Sequence, residues 1–231
     1  MILKFSEFPH RYFSSMSGRT VWTRYVSPAV LLISVSLITT LLCGCASVGH
    51  TFNSGAAENL DFGQVQASNY RSIFGEKPTA TEQKSTADGR FEIVRYTYAF
   101  ADLGSAKARA LVLEFKDDKL NAFMYLSSFD ESQTHPSLDK LNQISNHVSR
   151  KADVVNMLGK PNGKAFCPSN LEDFKESCGT CVEVWKWASM SGVSTFGAAY
   201  GGQRPSIKSI TVGFDKDGIV SNVSTASANN K

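Results

Sequence analysis

No apolar run in this chain approaches the roughly 20 residues that a membrane-spanning helix needs. The longest, Ala29 to Leu42, covers fourteen positions and includes serines and threonines. Histidine is scarce too: the four are His10, His50, His135 and His147, and no pair has the HExxH spacing of a zinc protease. No Gly-x-Ser-x-Gly nucleophile elbow occurs. The glycine-rich stretch Gly192 to Gly202 lacks the Gly-Lys-Ser/Thr that ends a phosphate loop. Asp215-Lys-Asp-Gly218 begins like a calcium loop but has neither the third ligand position nor the closing glutamate. These absences predict a chain with no catalytic residue, no metal site and no cofactor.

What is present begins at the N-terminus. Lys4, Arg11, Arg19 and Arg24 face a single acid, Glu7, and the apolar run follows. A basic start and a short apolar core describe an export signal; Met16 opens a second, shorter version of it. Next comes Leu42-Cys43-Gly44-Cys45-Ala46. These residues resemble the lipobox of bacterial lipoproteins, which has Leu three positions before the cysteine and a small residue just before it. Gly44 supplies the small residue for Cys45, whereas Leu42 does not supply it for Cys43. The resemblance implies cleavage after residue 44, lipid on Cys45, and anchoring by more than one acyl chain. Ala46, which is not the Asp that retains such proteins in the inner membrane, implies the periplasmic face of the outer membrane.

Taking away residues 1–44 turns the 24 basic and 21 acidic residues into 20 and 20. The working protein is neutral, with no basic stripe, so nucleic acid is not an expected partner. Residues 45–58 are mostly small and polar and read as a lipidated tether. Fully extended, its twelve residues after Ala46 would reach about 40 Å.

Two stretches then follow one template. Ser72-Ile-Phe-Gly-Glu-Lys-Pro78 and Asn156-Met-Leu-Gly-Lys-Pro161 each end an apolar segment with Gly and then Pro, the chemistry of a helix stop. In the second, Val154, Met157 and Leu158 share one helical face and Ser149 is the expected N-cap. An aromatic strand comes after each stop. In residues 92–100, Tyr96, Tyr98 and Phe100 share a face; in residues 181–188, Trp185 and Trp187 share one with Glu183. Residues 110–126 and 209–225 both read as strand, polar turn, strand. Phe115 and Asp118 correspond to Phe214 and Asp217, and Asp217-Gly218 is a strong turn signal.

Val154-Val-Asn-Met-Leu-Gly-Lys-Pro161, Trp185 and Val212-Gly-Phe-Asp-Lys-Asp-Gly-Ile-Val220 resemble the SmpA/OmlA type of outer-membrane lipoprotein, also called BamE-like. Phe74-Gly75, Pro78 and Phe115 resemble it more loosely. That family usually carries one copy; two copies in tandem look like the β-lactamase inhibitor protein architecture. The resemblance implies an α+β fold of two tandem helix-plus-antiparallel-meander repeats, residues 59–130 and 137–226, with the helices packed on one face of the sheet. It also implies a protein-binding scaffold whose partner is an outer-membrane or periplasmic protein. The tandem arrangement implies, as the alternative, a lipoprotein that binds or inhibits a periplasmic enzyme.

Three further cysteines remain. Cys178-Gly-Thr-Cys181 has the spacing of a redox motif but leads into a strand rather than a helix, which argues against that chemistry. An oxidising compartment predicts a disulfide. Cys167 with Cys181 would staple a hairpin base; a bond using Cys178 is the other option. Phe196 and Tyr200, on the glycine-rich loop, are the expected contact residues.

Overall fold

The computed structural model describes residues 46–101, 106–129, 138–191 and 206–229. They build one antiparallel sheet of nine strands: β1 (Ala46–Gly49), β2 (Ala80–Thr86), β3 (Gly89–Ala101), β4 (Ala106–Lys116), β5 (Lys119–Ser127), β6 (Gly163–Phe166), β7 (Glu183–Met190), β8 (Ser206–Phe214) and β9 (Val220–Asn229). The order is β1-β3-β4-β5-β6-β7-β8-β9. β2 lies off this path: it pairs with the first half of β3, from Thr86↔Gly89 to Ala80↔Arg95, while β1 takes the second half, from Gly49↔Tyr98 to Ala46↔Ala101. Four short α-helices join them: α1 (Ser54–Glu58), α2 (Tyr70–Phe74), α3 (Lys151–Leu158) and α4 (Glu172–Lys175).

This overturns the expected pair of helix-plus-meander repeats. The helices have five, five, eight and four residues, too short to hold themselves in water without tertiary packing. β3 and β4 alone run for 13 and 11 residues. β5 and β6 pair through Ala122↔Ala165 to Met124↔Gly163, so the sheet runs unbroken through the middle of the chain. Nor do all helices lie on one face, because α4 packs on the side opposite the other three.

Strand alternation decides what each face buries. On one face Val94 and Tyr96 of β3, Leu111, Leu113 and Phe115 of β4, and Phe123 and Tyr125 of β5 pack under Phe52, Ala57, Leu60, Tyr70 and Phe74. Further along the same face, Trp185, Trp187, Ile210, Val212 and Phe214 lie beneath Val154 and Leu158 of α3. The opposite face carries Ile93, Ala122, Met124, Ala165 and Val184 under Leu171 and Phe174. Gly163 permits that last contact: a Cβ there would fall 2.3 Å from Met124 Sδ and 3.0 Å from the Phe174 ring. The Tyr96 hydroxyl donates to Gly75 O at 2.7 Å, and burial pushes its pKa up to about 12.

The helix stops fall at the expected glycines, with Gly75 and Gly159 as C-caps. The expected N-cap does not hold. α3 begins one residue later, the Arg150 N–H donates to the Asp153 carboxylate at 2.8 Å, and Ser149 instead accepts from the Ser145 N–H. Just before β6 begins, Asn162 extends the ladder with its side chain: the amide donates to Tyr125 O and Ala188 O, and its oxygen accepts from the Ala188 N–H.

The β4–β5 turn places Asp117 and Asp118 at φ 48° and 67°, a left-handed pair that a type I′ hairpin demands and that glycine fills with least strain. The Asp118 side chain makes an exposed 3.6 Å pair with Arg90, of a kind worth ~0–1 kcal/mol; its backbone carbonyl, which accepts from the Ala67 N–H, is unchanged in glycine. Asp118→Gly is therefore expected to stabilise the fold by about 0.5 kcal/mol. A lower urea midpoint in the variant would contradict this.

Candidate functional site

The strands define two ends. At one, β1 begins at Ala46 opposite Ala101, β5 finishes at Ser127, and β7 finishes at Met190 opposite Ile207. At the other lie the β2–β3, β4–β5 and β8–β9 hairpin turns. In the β8–β9 turn Asp215 Oδ1 accepts from the Asp217 and Ile219 N–H groups, both at 2.9 Å, and Gly218 sits at φ 73°.

The expected tether of residues 45–58 is overturned. Ala46–Gly49 is a strand, Ser54–Glu58 a helix, and Phe52 and Ala57 are buried in the core. The small, polar composition misled because Gly49 is needed for close approach: a Cβ there would lie 2.0 Å from Thr97 O. Asn53 then caps α1, its side-chain oxygen accepting from the Ala56 N–H at 3.1 Å.

The disulfide joins Cys167 to Cys178, with Cα atoms 5.3 Å apart, and not to Cys181. The reason lies in register. The Cys167 N–H donates to Val182 O, so Val182 and not Cys181 is the residue bonded across from it. Cys181 is buried, with its sulfur 3.2 Å from Ser221 Oγ. The 3-10 turn Glu176–Gly179 carries Cys178 back to Cys167. The bridged loop is held to the sheet from below. Glu114, with no exposed surface, accepts from Asn121 Nδ2 at 2.8 Å and from the Asn170 N–H at 2.7 Å. Asn121 also donates to Phe166 O and Pro168 O.

Cys45, Phe196, Tyr200 and His135 lie outside the described residues. His50 and His147 are exposed and far apart in the chain. Among the described residues no three His, Cys, Asp or Glu side chains are grouped to hold a metal ion, and no helix is long and apolar enough to cross a membrane.

What the structure does assemble is an aromatic front at the turn end, on the face that carries α1–α3. Phe166, 39% exposed, stacks on Phe62 with ring centroids 4.2 Å apart. Beside it Lys164 pairs with Asp61 at 3.0 Å and lies 4.7 Å from the centre of the Trp185 ring. Burial pushes the Asp61 carboxyl up, but the bonds from Lys164 and the Phe62 N–H and the charges of Lys164 and Lys160 outweigh it, so the net shift is downward. Glu183, buried, takes an ion pair from Lys151 and a hydrogen bond from the Trp185 indole N–H. Lys164, Asp61, Lys151 and Glu183 are thus each bound in place. Sequence reading missed this pair because β6 is four residues long and Phe62 belongs to no strand or helix; an aromatic beside a Gly-Lys-Ala run was the sole signal.

The chain matches no family model and no curated protein, so the expected SmpA/OmlA membership finds no support. A solved structure of a provisionally assigned beta-lactamase inhibitor protein from Streptococcus mutans shows a weak likeness. It has 13% sequence identity and a TM-score of 0.39, over 85% of this chain and 96% of that one. Likeness at that level identifies neither a family nor a partner.

Proposed function

We propose that this chain is a lipoprotein of the bacterial outer membrane, anchored through Cys45, that binds another envelope protein without performing chemistry and serves as a scaffold in envelope assembly. The observation that carries the binding role is the Phe62–Phe166 stack: a large apolar pair left partly open beside the Lys164–Asp61 and Lys151–Glu183 ion pairs. Aromatic residues on a rigid support make strong contact anchors, because little side-chain freedom is lost on binding. The anchoring rests on the Leu42-Cys43-Gly44-Cys45 sequence.

A photoreactive phenylalanine at position 166 in the full chain, activated in intact envelopes, is expected to form an adduct with one protein. The same residue at the exposed Lys216 position is expected to form none. Phe166→Ser should reduce capture of that protein at least tenfold without lowering the melting temperature by more than a few degrees. A barrel or assembly component in the adduct supports the scaffold role, and a hydrolase would replace it with enzyme binding. Equal yields from positions 166 and 216 would show that this front is not the contact surface.

A further inference from the structure

We propose that the end of the sheet where β1 begins rests directly on the lipid bilayer, with Arg109 holding a phospholipid phosphate there. This rests on the reading of Cys45 as the lipidated residue. Had residues 45–58 been a free tether, the folded part could stand about 40 Å from the membrane. Instead the strand starts one residue after Cys45, at Ala46 paired with Ala101. Consecutive Cα atoms are about 3.8 Å apart, so an acylated Cys45 leaves no slack and this end of the sheet meets the headgroups.

The residues there suit that surface. Val48, two residues into β1, is an apolar side chain 71% exposed. Ser47 lies opposite Phe100 and Gly49 opposite Tyr98, which places both aromatics at the same margin. Tyr98 stacks on Phe129 with centroids 6.2 Å apart. The Arg109 guanidinium lies 4.2 Å from the centre of the Phe129 ring and 5.6 Å from that of Tyr98. Half-buried aromatics with cations among them are the composition of a membrane interface, where rings settle at headgroup depth and long basic side chains reach for phosphate.

Arg109 itself is poised for an anion. Its Nε is shut from solvent and has no hydrogen-bond partner, and neither has the hydroxyl of Tyr125, a residue only 3% exposed. Arg109 stands opposite Ser127 and Leu111 opposite Tyr125, so the two unpartnered groups occupy diagonal positions on one face of neighbouring strands. A buried guanidinium nitrogen without an acceptor is costly. A phosphodiester presents two oxygens in the geometry that a guanidinium fork accepts.

The test uses the full chain in outer-membrane vesicles. Val48→Cys and Phe129→Cys are reacted with a water-soluble maleimide in the membrane and again after detergent solubilisation, with Lys216→Cys as the turn-end control. Labelling at 48 and 129 is expected to be at least tenfold slower in the membrane than in detergent, and at 216 equal within about twofold. Adding Arg109→Glu to Phe129→Cys should speed membrane labelling at least threefold, while Arg109→Lys should leave it nearly slow; both double variants are melted to confirm that they fold. Fast labelling at 48 and 129 in chains that stay on the membrane, and that Cys45→Ser releases, overturns the docking but keeps the anchor. Wild-type chain that washes off the membrane overturns both. An unchanged rate in a folded Arg109→Glu variant removes the phosphate assignment.

Discussion

Glu114→Ala is expected to lower the unfolding free energy by about 3 kcal/mol, a large share of the ~5–15 kcal/mol typical of a folded domain. Glu114 is fully buried in β4 on the face opposite α1–α3, and its two oxygens serve different parts of the chain. One accepts from Asn121, the extra residue where the β4–β5 register shifts; the other accepts from the Asn170 N–H in the bridged loop. Alanine would leave the part-buried Asn170 N–H without its acceptor and remove the hold of the sheet on the segment after Cys167. Glu114→Gln keeps the volume but turns one acceptor into a donor, so it should cost about half as much. Urea unfolding followed by tryptophan fluorescence gives the totals. A double-mutant cycle with Asn121→Ala should show coupling above ~1 kcal/mol. Costs that simply add would mean that the two residues act separately.

Trp187→Ala is expected to cost about 4 kcal/mol. Trp187 has no exposed surface and belongs to the cluster under Val154 and Leu158 of α3. Its indole N–H donates to Gly159 O at 3.0 Å, so the same side chain fills the core and satisfies the carbonyl at the helix stop. Alanine would open a cavity too large for so short a helix to collapse into, and would orphan that carbonyl. Trp187→Phe separates the two effects: the ring is largely retained and the hydrogen bond is lost, for an expected ~1–2 kcal/mol. A phenylalanine variant as unstable as the alanine variant would mean that the hydrogen bond, and not the packing, dominates.

Both residues show how far residue patterns reach. Trp187 was legible as one side of an alternating strand with Trp185 and Glu183. Glu114 was not: it sits in an apolar run, Leu111 to Phe115, where a charge reads as a solvent-facing position. Its burial comes from Asn170, 56 residues away, closing over it. The aromatic front was lost for a similar reason. Lys164 and Asp61 are 103 positions apart, and neither is part of a local motif.

The disulfide follows the same logic. Spacing alone left Cys167 free to pair with Cys178 or Cys181; the hydrogen bond between Cys167 and Val182 decides it by placing Cys181 out of register. The reading of residues 45–58 as tether failed in the opposite direction. Small residues look unstructured in isolation, yet Gly49 is small because the neighbouring backbone leaves no room.

By itself the sequence determined the local elements: the alternating faces of β3, β4 and β7, the stops at Gly75 and Gly159, and the turn at Asp215–Gly218. Each follows from the period or the backbone preference of a few adjacent residues. Only the tertiary structure decided that β1, β2 and β6 are strands, that the two halves share one sheet, and which cysteine is bridged. β1 and β6 have four residues each, too few to set a period in the sequence, and β2 is exposed along nearly all its length. They are strands because β3, β5 and β7 offer them unpaired backbone groups, and that offer is made across distances in sequence that a local pattern cannot span.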